Sequence, residues 1–152
     1  MVRQKTSLSS APSSLLAAHT LILDNGAHTI KAGFSTSSTC DVIPNCIARS
    51  PLRRDNTTYI VSELTASCKD FAELQIRRPV EKGCIVNWEG QKAIWERSLF
   101  EPVANGGLGC NPHETNLILT EAPNAPVALQ RNADEMVFEE FEFAGLYRTI
   151  GS

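Results

Sequence analysis

Short apolar runs separated by turn residues predict most of the regular structure of this 152-residue chain. Runs at residues 20–23 and 30–34 flank Asn25-Gly26, a pair that tolerates positive φ and favours a tight β-hairpin turn. A nearly continuous apolar run at residues 116–120 is typical of a central strand. We therefore expect these three runs to lie in one mixed sheet.

Weaker runs of β-branched, aromatic and aliphatic residues predict the remaining strands, at residues 41–43, 57–61, 84–86 and 143–150. Pro44 ends the first of these strands because proline cannot donate a hydrogen bond to a ladder. Ser62 and Glu63 are typical of the start of a helix, so a short helix is expected to extend from there to about residue 71.

Two amphipathic helices are predicted to cover the sheet. Asn87 is a good N-cap for the first helix, and Pro126 suits the first turn of the second. The apolar residues of each helix share a face, at Trp88, Trp95 and Leu99 in the first and at Ala133, Met136, Val137 and Phe141 in the second. Such stripes usually pack in a core rather than stack on a ligand, so we expect Trp95 and Phe141 to be buried.

The composition is that of one soluble globular domain and excludes several classes of function. With a formal net charge of −3, the chain lacks the balance of a strongly basic nucleic-acid-binding domain. No apolar run approaches the length that spans a bilayer. The five cysteines are odd in number and widely spaced, which argues against a zinc site or disulfide framework and favours reduced thiols.

Three stretches are predicted to lie outside regular structure. Residues 1–19 offer little apolar surface, so we expect a disordered extension before a domain at residues 20–152, with a weak organelle-targeting presequence as the alternative. Residues 48–56 carry three arginines in a connection that either contacts phosphate or an acidic partner or is simply solvated. Residues 105–109 are glycine-rich, but no phosphate-loop lysine follows, so we interpret them as a flexible connection.

The first hairpin also carries the candidate chemistry. Asp24 ends a buried strand, Gly26 allows close approach of the backbone, and Lys31 lies a few residues on. Bare backbone N–H groups beside a lysine can cradle phosphate, and a carboxylate there can hold a metal-bound water. The alternative from spacing alone is an ordinary tight hairpin with solvated polar residues.

Five motifs, in order along the chain, resemble the actin superfamily. The first, Leu-Asp-Asn-Gly at 23–26 with Lys-Ala-Gly-Phe at 31–34, resembles that family's first phosphate loop. The others are Ile-Pro-Asn at 43–45, Val-Glu-Lys-Gly at 80–83 with Ile-Val-Asn-Trp at 85–88, Leu-Thr-Glu-Ala-Pro at 119–123 and Met-Val-Phe-Glu-Glu-Phe at 136–141. Residues 43–45 and 137–148 are most similar to the sixth class of actin-related proteins, which is nuclear and belongs to a histone-variant-exchanging chromatin remodeller.

The resemblance implies an α/β fold of the actin-like, ribonuclease-H-like type, of which this chain would form the N-terminal half. Actin-like proteins hold an adenine nucleotide, ATP or ADP, and a divalent cation such as Mg²⁺ between two phosphate loops in opposed halves. The resemblance places the cofactor-binding positions at Asp24, Asn25, Gly26, Ala27, His28 and Lys31. Asp24 would lie near the cation through a water, Gly26 would approach the phosphates, and Lys31 would neutralise phosphate charge.

Two departures from the family pattern weaken this nucleotide site. Ala27-His28 replaces a Ser-Gly pair, which removes a hydroxyl donor worth about 1 kcal/mol and places a ring where the family keeps bare backbone. His28 either crowds the phosphates or donates to one of them. The family's water-orienting glutamine would fall near Gly151, and the second phosphate loop and adenosine pocket would follow Ser152. We therefore expect no catalytic residues, no ATP hydrolysis and no tight nucleotide binding by this chain.

The function implied by the resemblance is that of a non-catalytic, architectural subunit of a nuclear histone-variant-exchange chromatin-remodelling complex. Its partners would include a Swi2/Snf2-type ATPase, with histones contacted indirectly, and would include neither a membrane nor a specific nucleic-acid sequence. The protein would be found in the nucleus and the cytoplasm. The main alternative is an actin-like, ATP-binding cytoskeletal ATPase. A sugar-kinase or chaperone-like member of the superfamily is a third interpretation, against which the motif at residues 119–123 favours the actin branch.

Overall fold

The computed structural model of this chain describes residues 19–49, 58–60 and 74–151. Its strands in chain order are β1 (His19–Asn25), β2 (Thr29–Phe34), β3 (Asp41–Pro44), β4 (Ile47–Arg49), β5 (Thr58–Ile60), β6 (Gln75–Arg77), β7 (Val80–Glu81), β8 (Cys84–Ile85), β9 (Thr115–Glu121) and β10 (Gly145–Ile150). Five of them form the main sheet, in the order β10-β9-β1-β2-β3. Because β1 runs antiparallel to β2 and parallel to β9, the predicted mixed sheet is confirmed.

Two helices follow the predicted positions, and each ends in a π-helical turn. Helix α1 (Trp88–Trp95) continues into Glu96–Phe100, and helix α2 (Val127–Glu135) continues into Met136–Glu140. Short 3-10 turns lie at Val103–Asn105 and Pro112–Glu114. The predicted cap of α1 is confirmed, since Gly90 N–H donates to Asn87 Oδ1 at 3.0 Å. In the described part of the chain, no helix is long and apolar enough to cross a membrane.

The core lies between the helices and one face of the main sheet, which we call the covered face. Its side chains come from alternate positions of the central strands, at Leu21, Leu23, Ile30, Ala32, Leu117 and Leu119. The helices place Trp95 and Phe141 against them, with ring centroids 5.3 Å apart. Both rings are buried, so the predicted core stripes are confirmed.

The opposite face of the same sheet, which we call the open face, meets few described side chains. Ile22, Ile118 and Tyr147 stand side by side on it, and Ile22 and Tyr147 keep 44% and 66% of their surface exposed. Asp24 and Lys31 are paired positions on the same face. The open face therefore combines apolar side chains with the predicted site residues.

Two smaller sheets complete the described structure. Strands β5, β4 and β6 form one, and the β7–β8 hairpin forms the other. Strand β4 lies where the sequence predicted the start of a basic connection, and that part of the prediction is wrong. Ile47 and Ala48 are buried and pair with strands on both sides, which outweighs the polar residues that follow. The helix predicted at residues 62–71 and most of the basic stretch lie outside the described residues.

The tight turn predicted at Asn25-Gly26 is also wrong. Neither residue has positive φ, and residues 26–28 form a longer connection between β1 and β2. The backbone of this connection is bound by Asn45, which replaces the local bond of a two-residue turn. A turn with two positive-φ residues occurs instead at Lys82-Gly83, between β7 and β8, with φ values of 51° and 80°.

Candidate functional site

The predicted site residues lie at the carboxyl ends of parallel strands. Asp24 is the penultimate residue of β1, and Thr120 is the penultimate residue of β9 beside it. In open α/β sheets, ligands bind outside this edge. The connection at residues 26–28, called the β1–β2 loop below, projects from the same edge.

Asp24 is held by two side chains that stabilise its ionised form. Thr120 Oγ1 donates to Asp24 Oδ1 at 2.7 Å, and Lys31 Nζ lies 3.2 Å from Asp24 Oδ2. The hydrogen bond from Thr120 lowers the pKa of Asp24, partial burial opposes this, and Lys31 lowers the pKa further. The carboxylate is therefore ionised at neutral pH, beside a lysine that already balances its charge.

The β1–β2 loop is bound through its carbonyl groups. Asn45 Nδ2 donates to Gly26 O at 2.7 Å, and Asn45 N–H donates to His28 O at 2.9 Å. Outside the strand ladders, the N–H groups of residues 26–28 donate to no backbone acceptor in the described ranges. A loop whose carbonyl groups are held from the inner side can turn backbone N–H groups outward, which is the arrangement of a backbone anion nest.

Gly26 is the position where this loop tolerates no side chain. A Cβ built there would lie 2.7 Å from Thr29 O, a backbone atom that cannot rotate away. Of its neighbours, Ala27 is half-buried and His28 is exposed. The glycine is therefore required by the packing of the hairpin itself, and its predicted approach to phosphate stays a prediction, as do the two predicted roles of His28.

Asn25 is placed differently from the other predicted site residues. Trp95 Nε1 donates to Asn25 Oδ1 at 3.1 Å, and Asn25 Nδ2 donates to Gln91 Oε1 at 3.0 Å. The side chain is buried and its amide is fully engaged on the covered face. Only its backbone is available to a ligand at the loop.

The described residues offer little chemistry beyond this loop. Among them, no three or more His, Cys, Asp or Glu side chains converge as metal ligands, so Asp24 could meet a cation only with other ligands supplied. The described cysteines are free, at Cys40, Cys46, Cys84 and Cys110. Burial raises the pKa of the Cys46 and Cys110 thiols, which keeps them protonated and poor nucleophiles.

Three residues that bind the site were missed as site residues by the sequence analysis. Thr120 was treated as the end of a strand, Asn45 only as part of a family motif, and Gln91 not at all. Gln91 did leave a signal, because it is a polar residue on the same helical face as Trp88 and Trp95. A buried amide on an apolar stripe needs partners, and here they are Asn25, which precedes the β1–β2 loop, and Asn45, which binds it.

The sequence matches one family along most of its length. The family model described as Actin matches residues 16–151. Actin-related protein 6 of Neurospora crassa is 53% identical over 136 residues, which cover 87% of this chain and 29% of that protein. Actin-like protein arp6 of Aspergillus fumigatus is 45% identical over 146 residues, which cover 87% of this chain and 31% of that protein. Actin-related protein 6 of Drosophila melanogaster is 30% identical over 132 residues, which cover 87% of this chain and 32% of that protein. The chain thus spans about three tenths of the length of the relatives it matches.

Proposed function

This chain belongs to the actin family, and on that premise we propose that it works in a non-catalytic actin-related protein, an architectural subunit of a nuclear histone-variant-exchange chromatin remodeller. The observation that supports the proposal most is its similarity, at up to 53% identity, to proteins named actin-related protein 6. The proposed partner is a Swi2/Snf2-type ATPase, with histones contacted indirectly. The proposed location is the nucleus and the cytoplasm.

An architectural role is consistent with the geometry of the β1–β2 loop. The bare Gly26 backbone and the Ala27 N–H, which is directed away from Asn45, fit a phosphate group in part, and Lys31 adds a positive charge nearby. In a longer relative, these groups would hold phosphate oxygens, and Asp24 would face the cation through a water. A nucleotide bound there would supply charge and rigidity to the fold.

The expected affinity of this chain for nucleotide is low. One phosphate loop supplies only part of the charge neutralisation and positioning that phosphoryl transfer requires. Calorimetry with Mg-ATP should therefore detect no binding in the micromolar range, and a micromolar dissociation constant would contradict the proposal. Restoring the family pair, with Ala27→Ser and His28→Gly together, should not create tight binding in this chain.

The assembly itself is tested by affinity purification. An epitope tag at the chromosomal locus that encodes this chain labels the protein in the form in which cells make it. We expect a Swi2/Snf2-type ATPase to be among the proteins recovered from nuclear extracts with that tag. Recovery of actin filaments without remodeller subunits would instead favour the cytoskeletal alternative and refute the architectural role.

A further inference from the structure

A continuous chain of buried side-chain hydrogen bonds connects helix α1 to the β1–β2 loop. Trp95 Nε1 donates to Asn25 Oδ1, and Asn25 Nδ2 donates to Gln91 Oε1. Gln91 Nε2 donates to Asn45 Oδ1 at 3.1 Å, and Asn45 Nδ2 donates to Gly26 O. We call these four side chains the amide relay. Gln91, Asn45 and Trp95 have no exposed surface, and Asn25 has very little.

The direction of every bond in the relay is set by its two ends. Trp95 Nε1 is only a donor, so Asn25 must present its oxygen to the indole and its NH₂ to Gln91. Gln91 must then present its oxygen to Asn25, which leaves its NH₂ for Asn45. At the other end, Gly26 O is only an acceptor, which requires the NH₂ of Asn45. Both ends require the same orientations of the three side-chain amides. Only this one arrangement gives every donor in the relay an acceptor.

This arrangement fixes the direction in which the loop presents its N–H groups. A trans peptide places the N–H of one residue opposite the C=O of the residue before it. Because Asn45 holds Gly26 O, the N–H of Ala27 must point away from Asn45. Asn45 N–H also holds His28 O, which continues the pairing of β2 with β3 up to the loop. Asn45 is fully buried, so releasing Gly26 O would leave its side-chain NH₂ group buried and short of a partner.

We infer that Gln91 is a positioning residue for the β1–β2 loop, which keeps its anion-binding conformation without a bound anion. In the described part of the chain, the Gln91 side chain forms its hydrogen bonds with Asn25 and Asn45 and not with the loop itself. It acts through Asn45, whose side chain it orients toward Gly26 O, and through Asn25, which precedes the loop. The inference does not depend on the proposed assembly, so the two can fail separately.

The test is backbone ¹⁵N relaxation of this 152-residue chain without phosphate or nucleotide. We expect order parameters near about 0.85 at Ala27 and His28, the value of rigid backbone. Gln91→Met keeps the size of the side chain but removes all three of its hydrogen bonds to Asn25 and Asn45. In this variant the order parameters of Ala27 and His28 should fall below about 0.6. The amide hydrogen of Asn45, which donates to His28 O, should exchange with solvent about tenfold faster or more.

The matched control is Ile94→Val, in the same turn region of α1 and equally buried, but outside the relay. Ile94→Val weakens the packing of the helix but should leave the order parameters of the loop unchanged. If Gln91 acted only by stabilising the helix, both variants should loosen the loop. Rigid loop amides in Gln91→Met would overturn the inference. If that variant does not fold, the wild-type chain still tests the inference. Loop amides that become ordered only when pyrophosphate is added would also overturn it.

Discussion

The two faces of the five-stranded sheet are built from neighbouring residues of the same strands, yet they serve different ends. On the covered face, Leu21 and Leu23 are fully buried beneath the helices. On the open face, Ile22 and Asp24 alternate with them along β1 and remain partly exposed. Polar groups on the covered face are joined in a closed relay, whereas those on the open face keep contact with water.

This difference separates the sources of stability from the sources of chemistry. Burial of apolar area stabilises the covered face, and the relay adds geometric definition there. The open face contributes less to stability, but it presents Asp24 and Lys31 where a ligand can reach them. The β1–β2 loop joins the two, since Asn45 holds two of its carbonyl groups and the loop projects from the edge of the sheet beside Asp24. Substitutions that differ only in face should therefore differ strongly in effect.

The largest effect is expected from a pair of alanine substitutions at adjacent residues. Leu21→Ala should lower the free energy of unfolding by about 3 kcal/mol, because it removes a fully buried side chain and leaves a cavity. Ile22→Ala removes a side chain that is 44% exposed and should cost less than about 1 kcal/mol. Urea denaturation of both variants measures the difference. Equal losses would show that the open face is buried in solution.

A smaller effect is expected at the ionic contact between β10 and α2. Arg148 lies 3.1 Å from Glu121 Oε1 through its Nε and also pairs with Asp134. Burial raises the pKa of Glu121, Arg148 lowers it, and Asp134 raises it. Arg148→Met should therefore raise the pKa of Glu121 further and lower the free energy of unfolding by about 2 kcal/mol at neutral pH.

The sign of the pH dependence follows from that raised pKa. An acid whose folded pKa lies above its unfolded value stabilises the fold while protonated, and this is lost as pH rises through the folded pKa. The loss in free energy of unfolding caused by Arg148→Met should thus become smaller as the pH is lowered from about 7 to about 4.5. Arg131→Met, an exposed arginine of α2, is the control and should show little change at either pH. A deficit independent of pH would mean that Glu121 is not the group left unpaired.

The covered face was largely predictable from the sequence, and the site was not. Alternating burial in strands and stripes in helices depend on local periodicity, which is why the sheet and both buried rings were predicted correctly. The conformation of the β1–β2 loop depends on Asn45 and Gln91, which are remote in sequence. An Asn-Gly pair favours a tight turn only when no distant donor claims its carbonyls. Family resemblance supplied the positions of the loop residues but not the partners that hold them.

A cap substitution tests how firmly the covering helix is anchored. Asn87→Ala removes the bond to Gly90 N–H at the start of α1 and should cost about 1 kcal/mol. Asn111 precedes the short turn Pro112–Glu114 and makes no such side-chain bond, so Asn111→Ala is the matched control. Thermal unfolding of both variants should separate them. A similar shift in both would show that the cap of α1 adds nothing beyond the loss of an asparagine.

The smallest effect on stability, and the most specific one, is expected on the open face at Thr120. Thr120→Val keeps the shape of the side chain but removes the hydrogen bond that lowers the pKa of Asp24 most. That pKa should rise toward its ordinary value. The loss of stability should stay below about 1 kcal/mol, because Asp24 is partly solvated.

The sign at Asp24 is opposite to that at Glu121. A carboxyl whose folded pKa is depressed stabilises the fold above its unfolded pKa, and this is lost as pH falls through the folded pKa. Thr120→Val should therefore begin to lose the contribution of Asp24 at a higher pH than wild type, which ¹³C NMR titration of the Asp24 carboxyl group measures directly. Thr149→Val is the control, since Thr149 is exposed and pairs with Thr120 across β9 and β10. If the Asp24 titration is unchanged in Thr120→Val, the hydrogen bond is not what lowers the pKa of Asp24. Lys31, through its charge, would then be the group on the open face that keeps this carboxylate ionised.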